Sequence, residues 1–392
     1  MPFFSVVIPT RNRPELVKHA IDSVLAQDFR DYEVVVSDNS DDAMAQPTRI
    51  HVEEVLQHPQ VRYIRPLQVL SMSDHWEWAM RQTHGEFSGV LTDRMLFKHY
   101  TLGTIHGAMQ GNKPDLISFL ADDLLGESPP FRLRLHPYAG TATIIRSKDI
   151  LADCVCATFS ERLPRMSNSF CRTEKMLALI PEYGTIFASL SPDYAFCFRM
   201  LDQLKVFTSL DHRLLVRGWE ARSNGHNRDF IRFYSGKERW FEYTPIPSPT
   251  PANAILLEYE AARIHQRSGR FEPIDKASIY YRELQNLFSQ EGDTTEAAIL
   301  LERFRQENGI LPAPVGHGPN YWRYNHAKRI VKEPLERAFE KIAGPLLKST
   351  TDHINIPIGG KPVRGMRYRD FNSVDAALCF DARYFGPPES VS

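Results

Sequence analysis

Two clusters of polar side chains stand where apolar runs end. Thr10-Arg11-Asn12-Arg13 follows the run at residues 3–8 and Pro9, and Asp38-Asn39-Ser40-Asp41 follows the run at 32–37. In an open parallel sheet, ligands bind beyond the carboxyl ends of the strands. Hydroxyl, amide, guanidinium and carboxylate groups gathered at two such ends call for a ligand that carries both hydrogen-bonding groups and negative charge.

Those clusters need elements to hold them. Residues 3–8 are apolar and β-branched and read as a strand. Pro14 and Glu15 open a helix, and Leu16, Ala20, Ile21, Val24 and Leu25 recur near a helical period, leaving one face for a sheet. Residues 32–37 form the next strand, a helix follows near 43–57, and 61–64 form a third strand. Ser73 or Asp74 is positioned to cap a helix running to about Thr83, with Trp76, Ala79 and Met80 on one face. Residues 87–91 form a fourth strand, ending at Thr92-Asp93-Arg94. This alternation predicts a parallel α/β sheet.

Further on, strands are expected at 116–120, 142–145, 206–209 and 214–216, and helices at 169–180 and 193–204. Residues 217–227 read as a polar loop. Pro245, Pro247, Pro249 and Pro251 mark a stiff linker. Helical patterns follow at 252–266, 274–290, 294–307 and 321–347. The expected division is an α/β domain at 1–242, a linker at 243–251, a helical region at 252–350 and an irregular tail at 351–392.

The chain has 392 residues, 42% of them hydrophobic, enough for the core of more than one domain. Lys+Arg 47 against Asp+Glu 48 leaves net charge −1, which excludes a general affinity for nucleic acid. No apolar run reaches bilayer length, and the first strand starts without a basic n-region or a long apolar h-region. Cys154, Cys156, Cys171, Cys197 and Cys379 are odd in number and lack disulfide or zinc spacing. A cytoplasmic protein with reduced thiols is the expectation.

Four segments taken together carry a resemblance: VVIPTRNR at 6–13, SVLAQ at 23–27, EVVVSDNSDD at 33–42 and SMSDHWEWAMRQTHGEF at 71–87. They resemble the family 2 glycosyltransferases of the GT-A fold. The likeness covers roughly residues 3–100 and thins out toward about 220. It implies an α/β fold with a GT-A, Rossmann-like mixed sheet flanked by helices, here followed by an α-helical C-terminal extension. It implies inverting transfer of a sugar from a nucleotide-diphosphate donor, UDP-linked above all, to a hydroxyl acceptor on a glycan or glycoconjugate.

The resemblance assigns roles residue by residue. Asp38 would accept the N3–H of uracil or thymine in a charge-assisted hydrogen bond. Pro9, Thr10, Arg11, Asn12 and Ser40 would line the nucleoside pocket, and Arg13 would hold the base or a phosphate. The alternative for Asp38 and Asp41 is capping of the following helix.

The family's Asp-x-Asp, which holds Mg²⁺ or Mn²⁺ against the diphosphate, is changed here. Asp93 is kept, but Arg94 and Met95 stand where further carboxylates are expected. Two readings follow. Asp93 still holds the metal with diphosphate oxygens and water, or Arg94, with Lys98 nearby, supplies the positive charge instead. Asp122-Asp123 reads as a surface turn.

The catalytic base of the family matches Asp193 in Ser191-Pro192-Asp193-Tyr194. The alternative is a carboxylate that only complements a helix dipole. In relatives the loop after the base helix closes over the donor, which makes Arg217, Arg222 and His226 candidates for the diphosphate, Trp219 for stacking on a sugar, and Gly218 and Gly225 for hinges. An ordinary exposed loop is the alternative. Near the C-terminus, Lys328, Arg329, Lys332, Arg337, Lys341 and Lys348 alternate with apolar residues, so that region can meet a membrane surface or, more in keeping with its glutamates, the main domain or a second subunit. The rival from another class is a degenerate nucleotide-sugar-binding or scaffolding subunit, for which Asp93-Arg94-Met95 is the best support.

Overall fold

A computed structural model describes residues 1–126, 130–136, 138–187, 191–219, 251–289, 295–311, 367–371 and 374. The β-branched run Val6-Val7-Ile8 builds β1 (Phe4–Thr10), every residue of which is buried. Pro14, with φ already suited to a helix, starts α1 (Pro14–Leu25), whose Val17, Ala20, Ile21 and Val24 lie on the sheet. β2 (Tyr32–Asp38) is again wholly buried. α2 (Asp42–Ile50) contains Pro47 and runs on into a π-helical stretch, His51–Leu56, that ends at Gln57 in the left-handed region. β3 (Val61–Ile64) follows.

α3 (Met72–Met80) is capped by Ser71, not by Ser73 or Asp74: its hydroxyl accepts the Asp74 N–H at 3.2 Å and donates to the Asp74 carboxylate at 2.7 Å. Gly85 then lets the chain pass β1, since a Cβ there would sit 2.5 Å from the Ser5 nitrogen. Next come β4 (Phe87–Val90), β5 (Met95–Phe97), α4 (Thr101–Asn112) and β6 (Leu116–Leu125). β7 (Phe131–Leu135), β8 (Ala142–Arg146), α5 (Ser147–Val155), a 3₁₀ turn at Met166–Asn168 and β9 (Ser169–Arg172) lead to α6 (Thr173–Leu177) and α7 (Leu179–Tyr183). α8 (Pro192–Gln203) and β10 (Val206–Arg217) complete the α/β part. Beyond it lie α9 (Pro251–His265), α10 (Lys276–Ser289), α11 (Thr295–Glu307) and β11 (Arg367–Phe371).

β3, β2, β1 and β4 are parallel neighbours, and β9 runs antiparallel between β4 and β6. The sheet is therefore mixed, as the resemblance implies, rather than all parallel. Alternation along the strands divides the core. Val6, Ile8, Val34 and Val36 face α1 and α4, whereas Val7, Val35 and Val90 face α3 and α8. The side chains on both faces are apolar, which is what a doubly covered sheet requires.

Several expectations are corrected. Residues 169–172 are a strand, with Phe170 and Cys171 buried on opposite faces; pairing with β4 and β6 overrides the local helical pattern. Residues 206–217 form one strand, not two. The polar stretch Asp211-His212-Arg213 sits at register shifts against β6, which is why the apolar pattern lapses there. β6 continues five residues past the expected end, so Asp122 and Asp123 are buried strand residues and not a surface turn. β7 and β11 were absent from the expectation, and β11 pairs antiparallel with β7.

The first C-terminal helix docks on α8. Tyr259 of α9 is fully buried against Phe198 and Phe271, with ring centroids 5.5 and 5.3 Å away. Among the described residues no helix is long and apolar enough to cross a membrane. The basic pattern at 328–348 lies outside the described residues.

Candidate active site

Parallel pairing sets Thr10 directly beside Asp38, because β1 and β2 end in register. Pro9 pairs with Ser37 one step earlier. Asp38 is fully buried. One of its carboxylate oxygens accepts the Ser40 N–H at 2.9 Å and the other accepts the Tyr63 hydroxyl at 3.2 Å. Each oxygen keeps a second lone pair for a ligand. Burial, and then the Asp38 charge, drive the Tyr63 phenol well above its ordinary value, so it stays a donor to Asp38.

The loops after β1 and β2 are stitched together. Asn12 stands in the left-handed region at φ 56°, which Asn tolerates better than most residues. Its N–H donates to the Ser40 hydroxyl at 2.7 Å, and its side chain donates to Asp41 at 3.2 Å and accepts the Asp41 N–H at 3.1 Å. Asp41 occupies the N-cap position of α2 without a side-chain capping bond. Arg11 is exposed beside this pair of turns.

Asp93 lies three residues past β4 and reaches back to the first loop. One oxygen accepts the Thr10 hydroxyl at 2.9 Å, and the other accepts the Arg13 guanidinium at 3.2 Å. Its side chain is 4% exposed. Burial pushes the Asp93 carboxyl above the ordinary range, against the opposing pull of Arg13 and Thr10. Arg94 is half-buried and tied to the end of β10: its carbonyl accepts the Gly218 N–H at 3.0 Å, and its guanidinium donates to the Gly218 carbonyl at 3.4 Å. Met95 points into the core. The Thr92 hydroxyl is buried with no hydrogen-bond partner among the described residues.

Two basic residues turn out to be committed elsewhere. Lys98, expected to assist Arg94, is 1% exposed and pairs with Asp122 at 2.6 Å. A buried ammonium needs such a partner, so it is not at the diphosphate position. Arg217 donates twice to one oxygen of Asp123, at 2.7 and 2.9 Å, while His136 reaches the other at 3.0 Å. These neighbours hold the Asp123 carboxyl below its ordinary range despite burial. Trp219 is 4% exposed and stacks on His19 with Phe131 at its edge, so it is a packing residue and not a platform for a sugar. Arg222, Gly225 and His226 lie outside the described residues.

Asp193 stands in the first turn of α8, after Pro192. It accepts the Ser167 hydroxyl at 3.4 Å, and Arg165 lies within electrostatic reach of it, over the Tyr194 ring at 5.5 Å. The turn Met166–Asn168 feeds β9, which pairs antiparallel with β4. That turn therefore sits beyond the carboxyl end of β4, and it brings Asp193 to the same edge of the sheet as Thr10, Asp38 and Asp93.

The sequence of residues 5–162 matches Glycosyl transferase family 2. Residues 5–162 thus carry a family 2 glycosyltransferase domain. In this glycosyltransferase domain the sheet is mixed and covered on both faces, the arrangement that the resemblance to the family implies. Similar solved structures include residues 1–349 of S. aureus TarS in complex with UDP-GlcNAc, at 14% identity and TM-score 0.49, covering 86% of this chain and 92% of that one. A longer S. aureus TarS structure is 16% identical at TM-score 0.46, with 83% and 53% covered, so the chain spans about half of that protein. The mannosyltransferase PcManGT from Pyrobaculum calidifontis, in complex with GDP-Man and Mn²⁺, is 15% identical at TM-score 0.41, with 79% and 84% covered. No curated protein sequence matches the chain.

Three residues of the site escaped sequence reasoning. Tyr63 was only one of four residues of a short strand. Ser167 follows a segment without pattern. His75 had a signal: it falls one residue before Trp76 and four before Ala79, on the buried face of α3. It is 3% exposed and bonded to the Ser37 hydroxyl at 2.7 Å, which pins α3 to β2 one residue before Asp38. Burial, and then the charge of Arg11, lower its imidazole to about 4.

Proposed function

We propose that this glycosyltransferase takes a UDP-sugar and passes the sugar, with inversion, to a hydroxyl group of a glycan or glycoconjugate. The observation that carries the donor is the buried Asp38 carboxylate. It is fixed by Ser40 and Tyr63 at the end of β2, beside Thr10 and across from the Asp93 loop. A fixed acceptor suits the N3–H of uracil and is mismatched to cytosine, whose N3 is itself an acceptor. Pro9, Thr10, Arg11, Asn12 and Ser40 shape the nucleoside pocket.

Asp193 is assigned the base. As the acceptor oxygen bonds to the anomeric carbon, its proton passes to Asp193. The bond from that carbon to the diphosphate breaks, and the electron pair leaves with the phosphate oxygen. The Ser167 hydroxyl donates to the carboxylate, and Arg165 lies within electrostatic reach of it. A second reading, a nucleotide-sugar-binding subunit without turnover, draws support from the single carboxylate at the β4 end. The discriminating experiment is a hydrolysis and transfer assay with a panel of UDP-sugars, run beside UDP calorimetry. UDP binding with turnover that Asp193→Asn abolishes supports the enzyme. UDP binding with no turnover of any donor supports the subunit.

A further inference from the structure

The end of β4 is not built to hold a divalent cation. Mg²⁺ and Mn²⁺ take oxygen ligands, several at once. Of Thr92, Asp93, Arg94 and Met95, the last two offer no oxygen from their side chains, Met95 is turned into the core, and Thr92 offers one neutral hydroxyl. Asp93 is the one carboxylate among them, and it already accepts the Thr10 hydroxyl and pairs with the positive charge of the Arg13 guanidinium at 3.2 Å. A cation at Asp93 would lie against that guanidinium. No group of three or more His, Cys, Asp or Glu suited to a metal occurs among the described residues. Meanwhile the charges of both Arg13 and Arg94 act on Asp93, so two guanidinium groups flank this strand end.

We propose that the leaving diphosphate is neutralised by the guanidinium groups of Arg13 and Arg94, with Asp93 serving as the anchor that aims Arg13 and not as the ligand of a metal ion. The proposal rests on the UDP-sugar reading above. A guanidinium matches two phosphate oxygens with two parallel N–H bonds and keeps its charge at any working pH. When the anomeric bond breaks, the added charge on the terminal phosphate oxygen falls on groups already in place. Arg94 is held for this by Gly218 at the end of β10, and Arg13 by Asp93.

Calorimetry of UDP and of uridine, which has no phosphate, tests it on the full chain. After dialysis against EDTA, UDP should bind with the same affinity, within about twofold, as in MnCl₂. Arg94→Ala should weaken UDP about tenfold, the loss of one charge-assisted contact, and leave uridine unchanged. Arg94→Lys should recover only part, since an ammonium lacks the fork. The proposal is overturned if Mn²⁺ strengthens UDP binding to the parent protein by about tenfold or more, or if Arg94→Ala weakens uridine and UDP alike. Failure of the parent to bind either compound would instead overturn the UDP-sugar reading itself.

Discussion

Replacing Asp38 by Asn changes one oxygen into an amino group at constant shape, and the structure sets what that costs. Asp38 is fully buried and accepts from Ser40 N–H and the Tyr63 hydroxyl. The Asn oxygen can keep Ser40, and the Tyr63 hydroxyl can turn to accept from the new amino group, so the fold is expected to survive. The base contact is not so easily repaired, because the amino group now faces the N3–H of uracil donor to donor. Hydrogen bonds to a charged group are worth about 1.5–3 kcal/mol, so the UDP dissociation constant should rise by roughly tenfold to 150-fold. Uridine should lose the same factor, since the contact is to the base. CDP should lose far less, because the amino group can donate to the N3 of cytosine, and the preference between the two bases narrows or inverts. Titration calorimetry with UDP, CDP and uridine reads all three. UDP binding within twofold of the parent, or equal losses for UDP and CDP, would refute the assignment and leave Asp38 a purely structural residue.

Asp193→Asn should lower kcat by about 10²–10⁴ while leaving the donor KM and UDP affinity nearly unchanged; a loss confined to KM would remove it from the chemistry. His75 is held at about 4 in the fold against about 6.5 in the unfolded chain, so the unfolded chain takes up the proton first. The stability contributed by the neutral imidazole is thus complete above about 6.5, declines as pH falls toward 4 and levels off below. The span is about 3 kcal/mol, to be read as the difference between parent and His75→Gln in denaturant melts at pH 7 and pH 4. Asp122→Ala strands the buried Lys98 ammonium and should destabilise the protein by about 3–5 kcal/mol in the same melts; a smaller loss would mean that water or another carboxylate reaches Lys98.

The β-α-β opening was legible because buried parallel strands are written as near-continuous β-branched runs, and polar residues follow where they end. That pattern marks Thr10, Arg13 and Asp38 among two clusters of polar residues, and the resemblance to family 2 singles them out. Their partners are not so marked. The bonds from Thr10 and Arg13 to Asp93 span 83 and 80 residues, and no local period encodes them. The same holds for Asp193 and Ser167, which are joined through the turn before β9. Asp122-Asp123 was misjudged because two adjacent carboxylates look like a turn until Lys98, Arg217 and His136 are seen around them. Trp219 was misjudged for the converse reason: an aromatic in a polar stretch looks exposed until its stacking on His19 is known.

The two ends of the proposed reaction depend on different parts of the chain. The nucleotide end is held by register: Thr10 beside Asp38 in adjacent strands, with Asp93 returning to both Thr10 and Arg13. The proton end is held by a helix start, and α8 is fixed from two sides. Ser167 contacts Asp193 from the turn before β9, and Glu258 of α9 accepts the N–H of Ser191, the residue before α8, at 3.4 Å. The apolar contact of Tyr259 with Phe198 presses the same helix onto the sheet. The C-terminal helices therefore bear on the geometry of the base even though they contribute none of the residues assigned to the nucleotide. A pocket fixed by strand register and a base fixed by helix packing can be perturbed separately, so Asp38→Asn should act first on binding and Asp193→Asn on turnover.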